Sequence, residues 1–525
     1  MDYWAPVPRA YSIYRASLDG NLNGLSDLAQ GRNLRLKPYV LTGATRGTGA
    51  SRFAGDGEIG LDLKYGVTPA LTLDVTVHPD FAQAEADEQQ VNLTRFSLFY
   101  PEKREFFLEN AGIFYFGDIA RNQRNTARFR PPEEELLLFF SRRIGLTGQG
   151  EQIPLYGGAR LTGLAGDVGV GAMTIQTQAH AGQPGSNYTV LRARRDILKN
   201  SDIGAIFLSR QPAGDSSDFN RVAGVDANFR FYRWLSVNSF LTRSDTPHKQ
   251  GGEWAGKGSV GWEDNFLHLQ YSLLSIGDNF QDDLGFVRRT GIRKHFADMG
   301  IRPRPAWWRR RGIREVHPHA RFSYYTDQSN VMVTRNDHIG PAFTFERGGF
   351  IEFAVNPQYE RIDKPFQIRP GVVIPAGSYR WNEYALVYEG DRSRAVSGSA
   401  RVTNGGFWSG SQKSARVAVA VRPSYRLLLD LGVQHNDIDL RVPPAGFAST
   451  LVTLRTNYSF NTRMFLDSLI QYNADLGQFS ANVRFNLIHH PLSDLFIVYN
   501  EQQFTDRDAP AGRGLIVKYT HMLSF

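Results

Sequence analysis

From about Asn33 to the last residue, polar and apolar side chains alternate with a period of two, in segments of roughly ten residues parted by turn residues. Val452, Leu454, Tyr458 and Phe460 alternate with Thr453, Arg455, Asn457 and Ser459, and Phe479, Ala481, Val483, Phe485 and Leu487 with Ser480, Asn482, Arg484 and Asn486. Upstream, Val225, Ala227, Phe229 and Phe231 alternate with Asp226, Asn228, Arg230 and Tyr232. Successive side chains of a strand point to opposite faces, so each segment reads as a strand with one apolar and one polar row. No apolar run approaches the roughly 18 residues of a membrane helix, which excludes a helical membrane protein.

The remaining solution for a chain of 525 residues without an obvious linker is one large repetitive sheet. A closed antiparallel transmembrane β-barrel is expected, an all-β fold of about 24–26 strands, the walk along the segments itself giving about 26. An arginine at mid-strand is costly on a lipid face, so rows such as Arg455 and Arg484 are expected to line the interior. Connections support this. Those at Arg422–Ser424, Glu389–Ser393, Glu346–Gly349, Tyr232–Trp234 and Leu198–Asn200 are short. Between them fall longer ones at Thr505–Arg513, Gln434–Ser449, Asn404–Gln412, Arg361–Gly377, Ser244–Gly252 and Gln211–Asp218. Barrels of the outer membrane sort short turns to the periplasm and long loops to the outside. An even strand number then puts both termini in the periplasm, and Trp307 and Trp308 on the periplasmic rim.

The chain ends in GLIVKYTHMLSF, where Tyr519, Leu523 and Phe525 lie on one row and the last residue is aromatic. This resembles the C-terminal signal read by the barrel-assembly machinery, His521 being a departure. Residues 1–30 read as a polar periplasmic lead-in and 31–525 as the barrel. No basic and apolar leader follows Met1, so an exported protein is expected to have begun upstream. The 60 basic and 52 acidic residues are spread along the chain, and only Arg302–Arg314 is a basic cluster. With its two tryptophans it reads as a membrane-interface turn on lipid phosphates rather than a nucleic-acid site. No cysteine is present, which removes disulfides and thiolate chemistry.

One stretch breaks the pattern. Leu71, Leu73, Val75 and Val77 alternate with Thr72, Asp74, Thr76 and His78; then come Asp80, Glu85, Asp87 and Glu88; then Val91, Leu93, Phe96 and Phe99 resume a strand-like pattern before Phe106, Phe107, Phe114 and Phe116. The acids read first as an electrostatic network inside the lumen, with Arg142, Arg143 and Arg160 as partners, because unpaired carboxylates are costly to desolvate. Two other readings stand beside it: a hard-cation site, for which the spacing matches no calcium loop, and a glycosidase pair drawn from Asp80, Glu85 and Asp87. Gly43, Gly47 and Gly49 lack the strand-to-helix setting of a phosphate cradle. His317 with His319, and His489 with His490, are read as turn histidines without a completing carboxylate, so neither a metal nor a cofactor is expected.

The run HPDFAQAEAD, then FYPEKREFFLE, FFSRRIG and GGARLTG, resembles the bacterial outer-membrane barrel family known as domain of unknown function 5916. The family pattern is approximately NPDFSQVEAD and FFPEKRPFFLE, from which this chain departs at His78, Ala82, Ala84 and Glu105. The resemblance implies an outer-membrane location and, through the family-nine carbohydrate-binding-module-like domain that members usually carry upstream, a connection to saccharides. That module is not in this sequence, and the resemblance brings no catalytic residues. The expected function is a gated or plugged conduit or docking platform for saccharide-type solutes, with outer-membrane lipid as surroundings. Residues 78–134 are expected to fold into the lumen, the four phenylalanines forming an internal knot. The rivals are a membrane anchor that transports nothing and a carbohydrate-active hydrolase.

Overall fold

The computed structural model describes residues 24, 33–80, 87–117, 135–147, 152–180, 182–232, 234–441, 446–506 and 510–525. The lead-in, Glu85 and residues 118–134 lie outside them. Consecutive strands pair antiparallel from Leu34–Arg46 onward, and the first strand also pairs with the last, Gly512–Thr520, from Tyr39↔Thr520 to Arg46↔Arg513. The sheet has 25 segments, of which Leu523–Ser524 prolongs the last strand along the same neighbour, so the closed wall holds 24 strands. Closure leaves the sheet without an edge strand, the condition for spanning a bilayer with strands.

Alternation decides which row faces out. Val225, Leu241, Leu269, Phe353, Leu431 and Leu515 are exposed on the outer face, while Asp226, Thr242, Glu352 and Lys518, on the other row of their strands, are buried. Arg455 and Arg484 both turn inward, to Glu88 at 3.2 Å and to Asp467 at 3.0 Å. An apolar outer band around a closed antiparallel cylinder is the architecture of an outer-membrane barrel.

The start of the first strand, the end of the last and the short turns after Ile197, Phe231, Phe345 and Asn461 share one rim. Trp307 and Trp308 stand on that rim in a short helix, Ala306–Arg309, their rings 4.8 Å apart and the Arg311 guanidinium over Trp307. Two loops expected to be long are cut short by longer strands. Val396–Phe407 and Gly410–Ser424 are joined through Trp408 and Ser409 alone, and Leu427–Asp439 resumes at Gly446. The strands here run to 16 residues, beyond the about 9–11 that a bilayer needs, so residues that read as loop are strand standing clear of the membrane.

Three further expectations are corrected. Residues 87–104 form no strand; the run bends at 94–96 and is held by side chains instead of a ladder. His317 and His319 sit in the strand Ile313–Asp327, not in a turn, and two residues apart they share a face. The lumen is not lined by polar rows throughout: Met173, Ile175, Val190, Leu208, Val222 and Ile276 point inward and are buried. They meet the internal segment in one apolar core.

Candidate functional site

The third strand, Leu71–Val77, is only 7 residues long and ends partway along its neighbour, whose residues 54–60 extend beyond it. There His78 takes a positive φ of 46° and the chain turns into the lumen. Gly60 makes the turn possible, since a Cβ at this position would strike the Tyr39 ring and the His78 carbonyl. The Tyr39 hydroxyl donates to that carbonyl and accepts from the Asp80 amide at 2.8 Å. Lys518 reaches the Asp80 carbonyl at 3.0 Å and its carboxylate at 3.2 Å. The first and last strands therefore fix the point of departure.

Beyond it the segment leans on the wall through polar contacts. Glu88 meets Arg455 at 3.2 Å and Arg416 at 3.9 Å. The Gln89 amide donates to Gln471 Oε1 at 2.7 Å and its side chain to Ser480 at 3.2 Å. Arg95 reaches Glu360 at 3.1 Å. Asp87 takes Arg142 and, at 3.4 Å, Lys103. Of the three arginines expected around the acids only Arg142 meets them. Arg143 donates to the Gly285 carbonyl at 3.3 Å. Arg160 pairs with Asp74 at 2.8 Å on the adjacent strand and donates to the carbonyls of Phe106 and Glu109, tying the wall to the short helix Glu105–Leu108.

The motifs PEKR and SRRI, far apart in sequence, close on one another. Arg104 grips Glu102 with both faces of its guanidinium, at 2.8 and 2.7 Å, and donates to the carbonyls of Ser141 and Ile144, each at 2.7 Å. The Ser141 hydroxyl donates to Glu102 at 2.8 Å. Burial pushes the Glu102 carboxyl up, but the hydrogen bonds and charge of Arg104, with Ser141, outweigh it and hold the group below its ordinary value of 4.5. A carboxyl depressed by folding contributes stability that is present above its unfolded value and lost as pH falls through the folded one. Acidification below about pH 4.5 should therefore raise amide exchange in residues 101–108, and Glu102→Gln should flatten that dependence.

On the opposite side the contact is apolar. Phe107, Phe114 and Phe116 are buried, with Phe106 packed against them, among Ile144, Met173, Ile175, Val222 and Phe240. Phe116 stacks at 5.4 Å from Phe240. Beneath it Arg192 and Asp226 form a two-point pair at 2.7 and 2.9 Å, and Asp226 also accepts the Gly117 amide at 2.9 Å. None of the sequence reasoning singled out Glu102, Arg104, Arg192, Asp226 or Tyr39. The signal was there for Asp226 and Arg192, ionic residues in the middle of alternating strands.

Between the segment and the polar wall lies a cavity of about 390 Å³, lined by Asp87 and Gln89 on one side and by Gln471, Ser480, Asn482 and Asn500 on the other. Arg46, Glu501 and Arg513 line it as well, so the cavity sets charges of both signs beside amides and hydroxyls that donate and accept.

Residues 32–131 match the protein-family model described as Domain of unknown function (DUF5916). A search of the curated proteins found no match. Among solved structures the chain is similar in fold to the siderophore receptor PirA from Pseudomonas aeruginosa, with 10% identity and a TM-score of 0.40 over 94% of this chain and 81% of that one. The ferric yersiniabactin uptake receptor FyuA from Yersinia pestis gives 9%, 0.41, 94% and 81%. The copper transporter OprC gives 8%, 0.44, 93% and 80%.

Proposed function

We propose, from the premise that residues 32–131 carry the DUF5916 region, that this outer-membrane barrel is a conduit for hydrophilic solutes closed by its own internal segment. The observation that carries the reading is the asymmetry of the segment's two sides. Phe107, Phe114 and Phe116 are buried in an apolar core against one sector of wall, whereas residues 87–95 touch the other sector chiefly through polar groups that water can replace, with Leu93 packed against a smaller apolar cluster. Arg455 and Glu88 are 30% and 38% exposed, and pairs of that kind contribute about 0–1 kcal/mol each. The aromatic side is the fixed half of a plug and the polar side its releasable half. The acids at Asp80, Asp87 and Glu88 act here as ties. The rim with the start of the first strand and the end of the last is the periplasmic one, and Tyr519, Leu523 and Phe525 serve the assembly machinery. Saccharide-type solutes are the favoured class because Gln89, Gln471, Ser480, Asn482 and Asn500 bring amides and a hydroxyl together in the cavity beside the releasable half, flanked by charges of both signs.

The cysteine-free chain allows a direct test. Gln89→Cys with Ser480→Cys, joined by a short bis-maleimide, should hold the segment shut, while Glu88→Ala with Arg95→Ala should free it. In planar bilayers the freed variant is expected to conduct several times more than wild type and the tethered one to stay closed. Equal silence in all three, with folded protein, would favour a membrane anchor that transports nothing.

A further inference from the structure

We infer that the inner wall binds one divalent first-row transition ion through His319, His338 and Glu352, on the three consecutive strands Ile313–Asp327, Met332–Phe345 and Phe350–Ile362. Their ligand atoms lie within 4.8 Å of one another. His319 Nε2 is 3.0 Å from His338 Nε2, and the Glu352 oxygens are 3.3 Å from His338 Nε2 and 3.9 Å from His319 Nε2. Two imidazole nitrogens on one tetrahedral zinc-like ion stand about 3.3 Å apart, given bonds of about 2.0–2.1 Å. The observed set is that of ligands around a common centre. The outward neighbours Ile339 and Phe353 are exposed, which turns all three ligands to the interior.

The second nitrogen of each ring already has an acceptor. His319 Nδ1 lies 3.0 Å from the His317 carbonyl, and His338 Nδ1 lies 2.8 Å from Asn356 Oδ1. Asn356 is itself oriented, its amide nitrogen donating to Glu383 at 2.8 Å. A carbonyl accepts only, so these contacts assign the proton to Nδ1 in His319 and, with Asn356 so oriented, in His338. Both Nε2 lone pairs then face each other, which neutral rings do not tolerate and a shared cation satisfies. Outer partners that fix the tautomer in this way are the habitual companions of metal-bound histidine. Space is kept open by Gly300 opposite His319, where a Cβ would meet His268 Cε1 and His319 Cβ at 2.6 and 2.8 Å. His338 is only half-buried, leaving room for a further, exchangeable ligand. Two imidazoles and one carboxylate select zinc, cobalt, nickel or copper over calcium and magnesium, which take oxygen. His268 and His317, 3.3 Å apart, continue the line of rings along the wall but supply no fourth ligand to this centre.

The full chain, refolded in detergent and stripped with chelator, would be titrated with Co²⁺ and then Zn²⁺. Expected are the visible absorption of four-coordinate cobalt saturating at one ion per chain, its displacement by Zn²⁺ and not by Ca²⁺, loss of the band in His338→Ala, and weakening by about 10–100-fold in Asn356→Ala. His268→Ala should leave the titration unchanged. Glu352→Gln, which keeps side-chain volume, gives a second reading should His338→Ala fold poorly. No saturable cobalt band in folded wild type at pH 7, or a band indifferent to both His338→Ala and Glu352→Gln, overturns the assignment.

Discussion

Replacing Asp226 with Ala is expected to lower the unfolding free energy of the barrel by about 3–5 kcal/mol, because it strands the Arg192 guanidinium in a place with no water. The two side chains are 1% and 0% exposed, joined at two points, and no solvent screening discounts the pair. The loss exceeds one ion pair, since Asp226 also accepts the Gly117 amide and Arg192 lies over the Phe116 ring. Asp226→Asn keeps the shape and an acceptor and should cost less. Arg192→Met with Asp226→Leu removes both charges together, and such exchanges are often neutral or stabilising. Urea unfolding followed by tryptophan fluorescence or by heat-modifiable gel migration reads all three. A loss below about 1 kcal/mol in Asp226→Ala would mean that water reaches the pair.

Arg104→Ala is expected to act on the closure instead of the wall. Its guanidinium ties Glu102, Ser141 and Ile144, and the Glu102 side chain is only 11% exposed, so truncation leaves a nearly buried carboxylate with Ser141 and backbone amides for company. Removing one partner of such a pair costs about 3–5 kcal/mol. Here the cost falls on local opening of residues 101–117 rather than on global unfolding. Faster proteolysis within that stretch and a leakier bilayer current are the expected readouts. Arg104→Ala with Glu102→Gln should recover most of the protection, and failure to recover it would show that the guanidinium acts through its Ser141 and Ile144 contacts.

The wall was legible because alternation is a local property: a strand with one row in lipid writes its parity into the sequence, as Val225, Ala227 and Phe229 do. Which row faces in was not always legible. On Val168–Thr177 the inward row is Met173 and Ile175, and the outward one holds Thr174, so hydropathy alone picks the wrong side. The reason lies elsewhere in the chain, in the phenylalanines that cover that sector. Ion pairs failed for the same reason. Glu88 met Arg455, 367 residues away, while the nearby Arg160 went to its cross-strand neighbour Asp74. Residues 91–99 read as a strand from the apolar pattern of Val91, Leu93, Phe96 and Phe99, yet Asn92 bonds back to Phe96 and a ladder never forms. Histidine spacing was misjudged: residues 317 and 319 share a face, and the carboxylate near His319 comes from two strands on, where sequence distance conceals it.

The segment leaves the cylinder after Val77 and rejoins it at Leu155, and these two staves are bonded to each other. A stopper pinned at both of its ends to adjacent staves cannot be pulled out through either mouth like a cork on a string. Under the proposed conduit function its travel is bounded by its own tethers, and passage is expected to open beside it while it stays inside.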